Sequence, residues 1–165
     1  MELKAKKIAF ENFTEYGTIL DPYNCGEPIN PGSLFPYYND RMPLTFAGGS
    51  IVTLNVQIYK IRPFEFDLTE AHDYTEELFG GFTEDVVFHV GPASVSEPDF
   101  SNFEAFILPK YWWVRLKRSV FHEAAFLING QETLGWVILP PYTAYNDTRL
   151  YSTGKPIKII LWLYG

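Results

Sequence analysis

Residues 70–91, EAHDYTEELFGGFTEDVVFHVG, place four carboxylates and one histidine in their first eight positions and then become an apolar run ending on Gly91. The second part, EDVVFHV at 84–90, is β-branched and aromatic and reads as a core strand. Outward from it lie five more stretches of the same character: 50–61 SIVTLNVQIYKI, 103–108 FEAFIL, 111–117 YWWVRLK, 133–139 TLGWVIL and 156–163 PIKIILWL. Gly, Pro or Asn punctuates each of them within a few residues. No pattern of helical period and ordinary length competes, so the expected fold is all-β, an antiparallel sandwich or barrel.

The totals agree. The chain of 165 residues fits a single domain, 1–165, large enough to bury a core without metal or disulfide support. It holds 14 Phe, 11 Tyr and 4 Trp beside 12 Gly and 12 Pro, the mixture of short strands and tight turns. A short opening strand precedes FENFTEYG, which reads as a small helix with Phe10 and Phe13 on one side and Gly17 closing it in a left-handed conformation. Residues 21–44 hold five prolines and read as irregular backbone, ordered by packing its aromatics onto the body and a candidate lid.

Charge and cysteine content exclude several classes. A net charge of −7 with no basic stripe argues against a nucleic-acid partner. The single cysteine, Cys25, allows no internal disulfide, and MELKAKKIAF has no apolar segment behind its lysines, so a cytoplasmic protein with no membrane partner is expected.

The chemistry concentrates on Glu70, His72 and Glu76 or Glu77, with His122 some fifty residues later. Residues two apart on a strand share a face, so Glu70 and His72 can converge inside a small barrel. Imidazole and carboxylate together suit a divalent ion such as Mn, Fe, Ni or Zn; without metal they suit acid–base work. His89 shares the parity of Val87 and reads as a packed or rim histidine and not a ligand. Cys25 lies in the Pro-rich loop with no adjacent histidine, HEAAF lacks the second histidine of a zinc-protease helix, YWW at 111–113 suits core or interface packing, and NDT at 146–148 is a turn.

These residues resemble the cupin superfamily, whose first motif has the form H-x-H-x(3,4)-E-x(6)-G and whose second supplies a histidine from a later strand. Glu70 stands at the first histidine, His72 fits the second, Glu76 or Glu77 the glutamate, and His122 the later histidine. Within cupins the likeness is greatest to the ureidoglycolate lyase family, formerly called hydrolase. FTEYGTIL is similar to its F-x-x-Y-G-x-hydrophobic signature, YYNDRMPL to its aromatic-H-D segment, E-x-H-x(4)-E at Glu70, His72 and Glu77 to its E-x-H-x(4)-Q, and VRLKRSVFHEAAF to its H-R-N-V-W-H-H-P. Lys117 and Glu123 stand where that segment has histidines, while Arg118 and His122 are retained.

The resemblance implies a cupin-type double-stranded β-helix, a jelly-roll barrel, with a short N-terminal helix. It implies an enzyme of allantoin catabolism that cleaves ureidoglycolate to glyoxylate and urea. His72 or His122 would be the base, Glu77 the proton donor, and Lys117 or Arg115 the clamp for the substrate carboxylate, with Tyr38 also contacting substrate. One divalent metal held by Glu70, His72, Glu77 and His122 is the alternative clamp. Two other readings stand beside it: a metal-dependent cupin isomerase or epimerase of a small polar metabolite, and a non-catalytic small-ligand-binding cupin. A homodimer through a strand edge is expected.

Overall fold

The computed structural model describes residues 1–45 and 51–162. Twelve strands are present among them: β1 (Glu2–Lys7), β2 (Gly17–Leu20), β3 (Thr53–Lys60), β4 (Glu65–Ala71), β5 (Glu77–Gly80), β6 (Val86–Gly91), β7 (Glu104–Leu108), β8 (Trp113–Leu116), β9 (Phe121–His122), β10 (Phe126–Leu127), β11 (Glu132–Leu139) and β12 (Arg149–Ile160). Helical structure is limited to α1 (Phe10–Phe13), α2 (Thr143–Asn146) and one 3₁₀ turn at Phe100–Asn102. No helix among these residues is long and apolar enough to cross a membrane.

The fold is the expected all-β jelly-roll barrel with a short N-terminal helix, but it is not antiparallel throughout as expected, because β1 pairs parallel with both β7 and β12. One sheet runs β10-β6-β7-β1-β12-β4-β9 and closes on itself because β9 also pairs with β6. The second, five-stranded sheet runs β2-β8-β5-β11-β3. β6 is buried along its whole length because both of its faces meet a core. Val86, Phe88 and Val90 join Phe13, Phe79, Phe106 and Val114 between the sheets. Val87, with Phe66, Phe103, Phe121, Phe126, Ile157 and Ile159, fills the closed sheet from within. The rings between the sheets meet edge to face, Phe13 against Phe106 at 5.3 Å and Phe79 against Phe88 at 5.1 Å, which favours one packing arrangement over fluid alternatives.

The strands expected from sequence are present with shifted ends, save that residue 50 of the first and residue 163 of the last lie outside the described residues. Five strands were not anticipated: β2, β4, β5, β9 and β10. The carboxylate-rich segment expected to precede a strand is itself strand (β4), turn and strand (β5). EFDLTEA hides its strand character because Glu65 and Asp67 occupy exposed positions and Glu70 is half-buried, and ELFG is only four residues long. The last strand begins at Arg149, seven residues before its expected start.

Gly17 does not cap a helix in a left-handed conformation, since α1 ends at Phe13 and Gly17 opens β2. Its small size serves a close approach instead: a Cβ there would sit 1.8 Å from the Arg115 carbonyl oxygen. Residues 21–44 are irregular as expected, but Tyr23, Leu34, Phe35 and Tyr37 are exposed rather than packed on the body.

Candidate metal centre

β4 carries the first site residue. Phe66 and Ala71 face the interior of the closed sheet although their parity differs, because Asp67 and Leu68 both turn outward where the β4–β12 register shifts. Glu70 is left facing the space between the two sheets, directly opposite His122 of β9. The chain then turns, and β5 opens on Glu77 from the second sheet.

The turn is clamped by Asp147, whose Oδ1 accepts from the backbone N–H of Asp73 (2.8 Å) and of Tyr74 (3.1 Å), and whose Oδ2 accepts from Thr75 Oγ1 (3.0 Å). Asp73 in turn accepts from Arg149 Nη2 (2.7 Å) and Ser119 Oγ (2.8 Å), and the arginine's hydrogen bond holds its carboxyl below the usual range.

Glu70, His72, Glu77 and His122 thereby converge, with one donor atom from each lying within 4.8 Å of all the others. That is close to the spread of donors bound at about 2.0–2.2 Å to a shared ion. His72, Glu77 and His122 are buried and Glu70 is half-buried. Glu77 Oε2 stands 3.1 Å from His72 Nε2 and 3.2 Å from His122 Nε2, and Glu70 Oε1 lies 4.0 Å from the latter.

The far side of each imidazole decides what the near side offers. His72 Nδ1 lies 2.9 Å from the Asp147 carbonyl oxygen and His122 Nδ1 lies 2.9 Å from that of Val120. A carbonyl only accepts, so both Nδ1 atoms carry their hydrogen. A neutral imidazole of that tautomer turns its Nε2 lone pair toward Glu77. Two lone pairs and a carboxylate then face one point, and only positive charge there reconciles them, as a metal ion or as extra protons on the rings. Carbonyl-anchored Nδ1–H groups are also how metal-ligating histidines are oriented. The four residues thus could hold one divalent ion, and the N₂O₂ donor set suits Mn, Fe, Ni or Zn.

In the absence of metal, protons take this role. Burial pushes the His122 pKa down, but the Glu77 charge and hydrogen bond, helped by Glu70, outweigh it and raise the group to about 9. Burial likewise pushes Glu77 up, and the His122 charge with hydrogen bonds from both histidines holds it well below the usual carboxylate range instead.

The centre forms the floor of a cleft of about 420 Å³ between the sheets. Thr53, Asn55 and Gln57 of β3 form one wall, and Tyr142, Tyr145 and Thr148, on and beside α2, form the other. A second hollow of about 120 Å³ lies behind Glu70 and Glu77 and reaches His122 and Tyr59.

Sequence reasoning brought Glu70, His72, Glu77 and His122 together correctly, and the structure resolves the choice between neighbouring acids. Glu77 points inward, whereas Glu76 accepts from the Thr45 N–H at 2.9 Å. Three other residues lie elsewhere among the described residues. Lys117 Nζ donates to the carbonyls of Thr14 (2.6 Å) and Glu15 (3.1 Å) just past α1, Arg115 Nη1 donates to the Pro43 carbonyl, and exposed Tyr38 lies beneath Arg41. None of the three lines the cleft.

His89 is fully buried, stacked on Phe66 at 3.6 Å, and kept neutral by burial. Its Nε2 reaches Thr69 Oγ1, which itself donates to the His122 carbonyl at 3.0 Å.

Sequence reading missed the β3 wall and Asp147. The polar residues at every second position of TLNVQ were the visible sign of the first; the second had none, since NDT reads as an ordinary turn. No family model and no curated protein matches this chain.

Proposed function

We propose that the protein is a metal-dependent enzyme of cupin type that acts on a small hydroxy-carboxylate, with ureidoglycolate lyase-like cleavage as the leading reaction. The observation that carries the reading is the pair of imidazoles with carbonyl-anchored Nδ1–H groups, both aimed at the buried Glu77 carboxylate. A bound divalent ion would supply the cationic hold on the substrate carboxylate and hydroxyl that Lys117 and Arg115, placed elsewhere, do not.

The remaining roles fall to the chain's own groups. With the ion held by His72, Glu77 and His122, Glu70, half-buried and lining both hollows, would be left to take the hydroxyl proton and return it to the departing nitrogen. The carbon–nitrogen bond breaks as the carbonyl forms, so one shuttled proton balances the reaction and no water is consumed. Asn55 already donates to the Val137 carbonyl, which leaves its amide oxygen to accept from a ureido N–H. The Gln57 amide oxygen accepts from Tyr59, which leaves its NH₂ to donate to a ureido carbonyl.

Two measurements test this. Purified protein is analysed for bound metal and then incubated with ureidoglycolate while glyoxylate is followed, before and after chelation. Glyoxylate release that chelation abolishes and metal restores is expected. Metal binding without turnover would end the lyase reading while leaving the isomerase or binding-protein readings, and failure to bind any of Mn, Fe, Ni or Zn would end the metal reading altogether.

A further inference from the structure

Among the described residues, β3 is the last strand of its sheet and pairs only with β11. Its alternation is inverted relative to an ordinary sandwich strand: Thr53, Asn55 and Gln57 line the cleft, while Leu54, Val56 and Ile58 point outward and are 60%, 54% and 61% exposed. The apolar row continues onto β11, where Leu134 and Trp136 pair with Ile58 and Val56. Edge strands of monomers are commonly guarded by lysine, proline or a bulge. TLNVQIY at 53–59 has no charge and no proline, and its register with β11 is unbroken. The rest of the same sheet's outer face is treated differently: Leu78 of β5 is buried, and neighbouring Arg115 is tied to Pro43 of the long loop.

We infer that β3 is the homodimer interface, its free edge pairing antiparallel with β3 of a second copy about a two-fold axis at Val56. The register follows from the side-chain pattern. Opposed residues in an antiparallel pair point to the same face, so only pairings of like parity keep apolar with apolar. With Val56 opposite itself, Leu54 meets Ile58, Asn55 meets Gln57 and Thr53 meets Tyr59, and Lys60, the last residue of β3, is left opposite Val52 just outside the strand. Moving the axis to Gln57 would set Lys60 against Leu54.

A second copy is favoured over an unrelated partner because the strand is complementary to itself and because two chains of net charge −7 can approach closely only through a neutral surface. The pairing also places Asn55 and Gln57 of the second copy beside the cleft-lining wall, so each cleft would be bordered by both chains.

The test combines mass with cross-linking. Light scattering on the full chain is expected to give twice the 19.0 kDa of one chain, and Val56→Lys, at a solvent-facing position, is expected to give one. In a Cys25→Ser background, Val56→Cys would bring two thiols together across the axis, because opposed Cα atoms in such a pair lie about 4.5–5.5 Å apart, within disulfide range. Mild oxidation should then give a reducible covalent dimer, while Leu68→Cys, exposed on β4, should not. A wild-type chain that is monomeric at hundreds of micromolar would overturn the inference. So would a dimer in which Val56→Cys cross-links no better than Leu68→Cys, since that dimer uses another surface.

Discussion

Exchanging Glu77 for glutamine keeps the volume of the side chain and removes its charge from a buried point where two imidazoles converge. In metal-free protein the rise of His122 from 6.5 to about 9, achieved against burial by the Glu77 charge and hydrogen bond, corresponds to about 3 kcal/mol of stabilisation. Because the folded-state value is the higher one, that stabilisation is complete below about pH 6.5 and disappears as the pH rises through about 9. Glu77→Gln in the presence of chelator is therefore expected to be about 3 kcal/mol less stable than wild type at pH 6, or about 6–12 °C lower in melting temperature for a domain of this size. The gap should close by pH 10, where wild-type Glu77 is left as a buried charge beside a neutral ring. Urea denaturation at pH 6, 8 and 10 measures it. Equal stability at pH 6, or a gap that does not change with pH, would refute the claim that charge on His122 is what Glu77 stabilises.

Three other perturbations separate the parts of the site. Asp147→Ala removes the clamp on the turn at 73–75 and loosens the carbonyl that orients His72, so metal affinity measured by calorimetry should fall about 10–100-fold while the four candidate ligands remain. Lys117→Ala, which loses only contacts to the Thr14 and Glu15 carbonyls, should leave metal affinity and glyoxylate release unchanged and cost less than about 1 kcal/mol in denaturant. Gly135→Ala would set a Cβ 2.3 Å from the Phe82 ring and 2.6 Å from that of Tyr59, and the overpacking should lower stability by about 1–3 kcal/mol with no dependence on added metal.

The barrel and the candidate ligands were legible for different reasons. Strands such as VVFHV announce themselves because both faces are buried, which leaves a continuous apolar run. EFDLTEA does not, because Glu65 and Asp67 stand in solvent and the consecutive exposed Asp67 and Leu68 break the two-residue period. Glu70, His72, Glu77 and His122 stood out because imidazole and carboxylate are scarce inside a β-core, so their presence beside core strands needed a reason. Lys117 and Arg115 were drawn toward the site by their position in a resembling segment, but strand geometry sends them elsewhere. Lys117 lies just beyond β8 and turns to the carbonyls after α1, and Arg115 on β8 reaches Pro43 in the long loop. Asp147 was invisible for another reason: its contribution depends on a contact more than seventy residues away in sequence, with Asp73, Tyr74 and Thr75, which no local pattern encodes.

β3 ties these threads together. A strand whose polar residues face inward and whose apolar residues face water contradicts the usual burial rule on both faces at once, and a single cause on one face does not account for the other. The inner anomaly is explained by the cleft, since amide and hydroxyl side chains at Thr53, Asn55 and Gln57 are useful only where a polar ligand or water can reach them. The proposed second chain would account for the outer anomaly, since it would cover Leu54, Val56 and Ile58 on an exposed edge. The two explanations are coupled through one backbone. Pairing of the outer edge would fix the strand that carries the cleft wall, so disruption of the dimer by Val56→Lys should weaken substrate binding at the cleft more than metal binding at its floor, where Glu70, His72, Glu77 and His122 belong to β4, β5, β9 and the turn after β4. Equal losses in both would mean that the variant had damaged the fold and not the wall.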